Sequence, residues 1–180
     1  MASASVEGGN VIVTAYGSDA SHCKVLRWTE SAADVLAEVR CFDATGSAAD
    51  SAFTLSYTDK TVPTPHGWGA YAWADQSATA AYTPNAFYSE WAAASVGRIA
   101  EAQSFPVGIY TLLYPYQVPF EGDGKSATHV TAYGPGSAYC KVASWEAPDV
   151  TVKTLCFSGT GTPINSQYVN RFLYSSLRSL

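Results

Sequence analysis

Near the N-terminus the side chains alternate about an extended backbone. Val11, Val13 and Ala15 fall on one side, and Ile12, Thr14 and Tyr16 on the other. Side chains of a strand point alternately to its two faces, so a spacing of two defines each face. Neither face is strongly polar, which predicts a strand covered on both sides. Gly17-Ser18-Asp19 breaks the run. A second strand passes through Cys23-Lys24-Val25 and Trp28, and a third returns through Cys41-Phe42, so the pair reads as a hairpin. Further runs of strand type lie at Gly69–Trp73, Val96–Glu101 and Gly108–Tyr116; in the last, Tyr110, Leu112, Tyr114 and Tyr116 share one face. Helices have little support. The best candidate, Phe87–Ala94 behind Asn85 as a cap, is short and aromatic.

The leading pattern occurs twice. Val13-Thr14-Ala15-Tyr16-Gly17 leads to Cys23-Lys24-Val25, Trp28, Asp34-Val35, Cys41-Phe42, Thr45 and Gly46. Val130-Thr131-Ala132-Tyr133-Gly134 leads to Cys140-Lys141-Val142, Trp145, Asp149-Val150, Cys156-Phe157, Thr160 and Gly161. Tyr to Cys is seven residues in both copies and Cys to Trp is five; the second copy is two residues shorter between Trp and Asp, where a hairpin loop tolerates it. Beyond the glycines the match weakens, with Asp50-Ser51 facing Asn165-Ser166. About sixty residues of strand type precede the second copy, but only Met1–Gly9 precede the first, so the leading unit looks truncated. Its missing strands come either from a core shared with the middle segment or from another chain. The shared core is preferred, because four strands alone leave one face of a sheet bare. The expected organisation is a flexible tail over 1–9 and a single β domain over 10–180. That domain divides into one unit over 10–58, an aromatic-rich connection over 59–120 and a second unit over 121–180. The expected fold is all-β, an antiparallel sandwich or partly closed barrel of about ten strands built from two related hairpin units.

Cys23, Cys41, Cys140 and Cys156 sit at equivalent places in the copies. Four cysteines allow three connectivities. The copies favour pairing within each hairpin, Cys23 with Cys41 and Cys140 with Cys156, where residues directly opposite bring Cβ atoms almost to bridging distance. Closing a loop of about sixteen residues would contribute roughly 3 kcal/mol in the chain-entropy model. Four buried thiols are the plainer alternative, and zinc is weaker still, because no C-x-x-C spacing occurs. Disulfides predict an oxidising compartment, hence secretion. Met1–Ser5 has neither the basic start nor the apolar stretch of a signal peptide, so secretion predicts a leader absent from this sequence.

The doubled string V-T-A-Y-G, C-K-V, W and C-F resembles a group of exported bacterial proteins, common in actinobacteria and their relatives, with no established activity. In that group a G-x-Y-x-V segment precedes the repeat. Gly108-Ile109-Tyr110-Thr111-Leu112 is similar to it, with Leu in place of Val, and the first copy has no such segment. The resemblance implies export and a β fold; it implies no substrate.

Of 180 residues 47% are hydrophobic and 14% charged, which fits a folded chain rather than a disordered one. The formal charge of −5 provides no cationic field for nucleic acid. No apolar run approaches the roughly 18 residues needed to span a bilayer as a helix, so no membrane partner is expected. His22, His66 and His129 join no nucleophile or ligand motif, and His129, inside a strand, reads as a partly buried hydrogen-bonding residue. Carboxylate pairs such as Asp43 with Asp50 or Glu90 with Glu101 have nothing that sets their separation. Asp34 and Asp149 read as turn caps. Gly122-Asp123-Gly124 offers too few oxygens, even with Glu121, to hold calcium. No metal or cofactor is expected. Trp68, Tyr71, Trp73, Tyr82, Tyr88 and Trp91 concentrate between the repeats and serve either as core or as a platform for a sugar or small apolar ligand. Trp28 and Trp145 belong to the repeat and read as structural. The leading expectation is therefore a secreted, non-catalytic binding module, for carbohydrate through those aromatics. One alternative is a self-assembling or interaction protein whose unfinished first unit is completed by β-strand addition. The other is a hydrolase or cyclase with a site in a barrel mouth.

Overall fold

The computed structural model describes residues 8–31, 33–58, 67–85, 88–91, 101–104, 106–114, 125–146 and 150–175, with the backbone alone at 67, 68, 90, 91, 101–104 and 175. Among the described residues the strands are β1 (Asn10–Tyr16), β2 (His22–Glu30), β3 (Val35–Phe42), β4 (Ala52–Thr58), β5 (Gly67–Ala74), β6 (Ala81–Tyr82), β7 (Glu90–Trp91), β8 (Glu101–Ser104), β9 (Ile109–Tyr114), β10 (Lys125–Ala132), β11 (Tyr139–Glu146), β12 (Val150–Phe157) and β13 (Tyr168–Ser175). They form four antiparallel sheets in the orders β1-β4, β2-β3, β10-β13-β5-β7 and β11-β12-β9-β8-β6. The fold is all-β and sandwich-like. Among the described residues no sheet closes on itself, so of the two expected arrangements the sandwich is the one that fits.

The two larger sheets pack face to face. Ala70 and Ala72 of β5 and Phe172 and Tyr174 of β13 meet Leu112 and Tyr114 of β9 and Val150 and Val152 of β12. Alternation along β9 accounts for its place: Tyr110, Leu112 and Tyr114 are buried while the residues between them are half-buried. A second cluster gathers Val11, Ile12 and Val13 of β1 with Cys23, Val25 and Trp28 of β2, and Val169 of β13 joins it, so the smaller sheets share a core with the larger ones. Between β1 and β10 the Thr131 hydroxyl accepts from the Val13 N–H and donates to the Val13 carbonyl, both at 3.0 Å.

The four-strand sets β1–β4 and β10–β13 agree in register. Val13 faces Leu55 where Val130 faces Asn170, and Ala15 faces Phe53 where Ala132 faces Tyr168. Each hairpin has a bulge three residues after its first cysteine, at Val25/Arg27 and Val142/Ser144. Each closes with a matched bridge, Phe42 with Ala48 and Phe157 with Pro163, around a glycine of positive φ, Gly46 or Gly161. The disulfides are Cys23–Cys41 and Cys140–Cys156, with Cα atoms 4.0 and 4.1 Å apart. Such close approach belongs to non-hydrogen-bonded antiparallel pairs, whose backbone groups point away from each other.

Several expectations are corrected. Strand β1 is buried on both faces only from Asn10 to Val13, and Tyr16 stands out in solvent. Gly8 and Gly9 are buried, and Gly8 accepts the Trp28 indole N–H at 3.1 Å, so the tail is fixed where it meets β1. Trp145 is exposed, unlike Trp28. The turn before β3 is capped by the Ser31 hydroxyl, which accepts from the Ala33 and Asp34 N–H groups, rather than by the Asp34 carboxylate. His129 is exposed on β10 opposite Arg171. Within the candidate helix Phe87–Ala94, Glu90 and Trp91 form β7, and residues 87 and 92–94 lie outside the described residues. So do His66, Asp149, Tyr116, residues 96–100 and the segment from Glu121 to Gly124.

Candidate functional site

The aromatic residues between the units go mostly inward. Tyr71 is 3% exposed on β5, which removes its face from any ligand. Trp73 and Tyr88 pack edge-on against Trp28, with ring centroids 6.0 and 5.5 Å away, and against each other at 5.0 Å. Tyr133 completes this cage, 5.3 Å from Trp28 and 5.0 Å from Trp73. Edge-to-face contacts of this kind suit a packed interior. Tyr82 packs on the main core; its hydroxyl accepts from the Gln76 N–H at 3.0 Å, and burial raises its pKa to about 12. The side chains of Trp68 and Trp91 lie outside the described residues. The four described members therefore pack against the protein's own core.

A crevice of about 380 Å³ lies where the units meet, lined by Ala20, His22, Ala44, Tyr139 and Gly159 to Gly161. His22 is engaged there: its Nε2 donates to the Ser137 carbonyl at 2.8 Å, and its ring packs on Phe42 and Tyr139. His129 has its pKa lowered by partial burial and by the Arg171 guanidinium opposite. The two histidines belong to different surfaces. Asp43 is likewise occupied, accepting from the Thr45 hydroxyl and the Thr45 and Ser47 N–H groups; the Thr45 hydroxyl leads in holding its carboxyl below the usual range. Among the described residues no group of three or more His, Cys, Asp or Glu is placed to hold a metal ion, and no helix is long and apolar enough to cross a membrane.

The sharpest contrast between the units is at their outer edges. In the second, β9 pairs with β12 and β5 pairs with β13, so the outer edges of both strands are covered. In the first, β3 pairs only with β2 and β4 only with β1 among the described residues. An uncovered strand presents a row of backbone donors and acceptors. Val35, Leu36, Phe53 and Leu55, four of the large apolar side chains left exposed, lie on these two strands.

The second unit shows what such an edge accepts. Gly108, at φ +77°, places its carbonyl 2.8 Å from the Cys156 N–H, and a Cβ there would come within 2.5 Å of the Cys156 oxygen. Its N–H donates to Asn165 Oδ1 at 3.1 Å. The Tyr110 hydroxyl accepts the Ser166 N–H at 2.9 Å and lies 3.2 Å from Asn165 Oδ1 as donor; burial raises its pKa. The first unit holds Cys41, Asp50 and Ser51 at the positions of Cys156, Asn165 and Ser166. Its closing turn is made in the same way, the Ala49 N–H donating to the Cys41 carbonyl as the Ile164 N–H does to Cys156. Cys41 and Cys23 form a non-hydrogen-bonded pair, so the Cys41 N–H points to the open edge. The receiving half of the arrangement is present and the strand that would fill it is not among the described residues.

No family model matches the chain, and no curated protein and no solved structure matches it.

Proposed function

We propose that this protein is a non-catalytic interaction module that takes up a polypeptide strand by β-strand addition at the open edge of its first unit. The observation that carries the reading is the difference between β12, which holds β9, and β3, which holds nothing equivalent among the described residues. Main-chain hydrogen bonds supply affinity in such complexes and alternate side-chain pockets supply selectivity. By analogy with β9, the preferred strand carries Gly followed two residues later by Tyr. The glycine approaches Cys41, and the tyrosine hydroxyl lies among Asp50 and Ser51. The two units are read as copies of one ancestral four-strand set, which the matched registers support. Two disulfides fit an oxidising environment, and we place the protein outside the cell on that ground.

The test is calorimetric titration of the full chain with a synthetic peptide of residues 106–114, which carries the β9 sequence. The expected result is one-to-one binding, weakened at least tenfold when the peptide's Tyr110 is replaced by Ala. Binding is also lost in the protein variant Val39→Pro. The Val25 carbonyl accepts from the Gly134 N–H and so faces away from β3, which turns the Val39 N–H to the open edge, where proline removes a donor without touching the β2–β3 ladder. Absence of binding, or binding indifferent to both changes, overturns the proposal.

A further inference from the structure

The two units meet face to turn. On the first unit's side Lys24, Val25 and Trp28 of β2 are all buried. On the second unit's side lies the turn from Tyr133 to Ser137. Val25 and Tyr133 form a parallel bridge, the Gly134 N–H donates to the Val25 carbonyl at 2.9 Å, and Lys24 Nζ donates to the Pro135 carbonyl at 3.2 Å. The Tyr133 ring meets Trp28 edge-on.

Each unit carries both of these surfaces. Lys141, Val142 and Trp145 of β11 stand at the positions of Lys24, Val25 and Trp28, and the turn Tyr16–Ala20 stands at the position of Tyr133–Ser137. The contact is nonetheless made once. Its other two halves are mostly exposed: Tyr16 is 71% exposed and Trp145 44%, and Gly17, Ser18, Asp19, Ala20 and Lys141 are exposed with them, while Val142 is half-buried against the main core. A symmetric pairing of the units would use each surface twice. This one is heterologous, leaving a free turn on one unit and a free face on the other.

We infer that the Tyr16–Ala20 turn of one copy docks on the Lys141–Trp145 face of a second copy, repeating between chains the contact made inside the chain. The chemistry is complementary: Tyr16 meets Trp145 as Tyr133 meets Trp28, and the Ser18 carbonyl receives Lys141 as Pro135 receives Lys24. Asp19 stands where the second unit has Gly136, so the free turn brings a carboxylate toward the Lys141 ammonium. Trp28 is further covered by Trp73 and Tyr88, which the second copy does not supply, so the contact between copies is weaker than the internal one and reversible. Because the contact is heterologous, copies join head to tail. It uses a different surface from the β3 edge and stands apart from the strand-binding proposal.

Sedimentation velocity of the full chain over a concentration series tests this, with Tyr16→Asp and Trp145→Asp as variants; if circular dichroism shows either to be misfolded, Tyr16→Ala and Trp145→Ala replace them. The wild type is expected to pass from monomer to species larger than a dimer as concentration rises, less so in high salt. Each variant alone stays monomeric. Their equimolar mixture forms a dimer and nothing larger, because it retains one intact turn and one intact face. A wild type that is monomeric up to its solubility limit, a variant that associates by itself, or a mixture that stays monomeric overturns the inference.

Discussion

Lys24 shows how position within one motif decides a residue's chemistry. It is 1% exposed, and burial lowers its pKa from 10.5 to about 8. Lys141, the same residue of the second motif, is exposed, its ammonium 5.1 Å from the Phe157 ring centre. Below pH 8 Lys24 is charged in the folded and unfolded chains alike, and the folded state bears the whole cost of burying it. Between pH 8 and 10.5 the unfolded chain holds more protons, so stability rises with pH, and above that range the penalty is gone. At about 1.4 kcal/mol per pH unit the penalty is on the order of 3 kcal/mol. Replacing Lys24 by Met is expected to raise stability at pH 7 by about 2 kcal/mol after the lost hydrogen bond to Pro135 is set against it. The advantage should vanish by pH 10.5. Urea unfolding of both proteins at the two pH values checks this; an advantage that does not shrink with pH contradicts it.

At the scale of elements, the two hairpins have the same bridge and different support. Cys140–Cys156 lies in a sheet where β9 also holds β12, whereas among the described residues Cys23–Cys41 joins strands that have only each other in their sheet. Loop closure assigns each bridge about 3 kcal/mol. Replacing either pair by serine is expected to lower stability by about that amount. Only the Cys23/Cys41 pair of changes should also open its hairpin locally, seen as proteolytic nicking between β2 and β3 before global unfolding. Equal nicking of the two hairpins would contradict this. The hairpins were legible in the sequence because spacing of cysteines, turn glycines and alternating residues all agreed. Two-residue strands such as β6 and β7 were not, since a period of two cannot be read from a single repeat. The aromatic segment was ambiguous for another reason: Trp and Tyr suit interiors and binding surfaces equally. Only the neighbours of Trp73 and Tyr88, brought from β2 and from the turn after β10, decide between them.

For the whole molecule, identical motif residues have opposite fates because the units are joined head to tail. Trp28 is buried and Trp145 exposed; Tyr16 is exposed, while Tyr133 packs on Trp28. A sequence repeat carries no information on this, since burial is set by what the other unit places alongside. Among the described residues the first unit has no counterpart of the flanking strands that complete the second. That difference is the central claim, and native-state hydrogen exchange measures it residue by residue. The amides of Val35, Ala37, Val39 and Cys41 on β3 are expected to exchange much faster than those of Val150, Val152, Thr154 and Cys156, their counterparts on β12. Comparable protection on the two strands would show that the first unit's edge is already covered and would contradict the account.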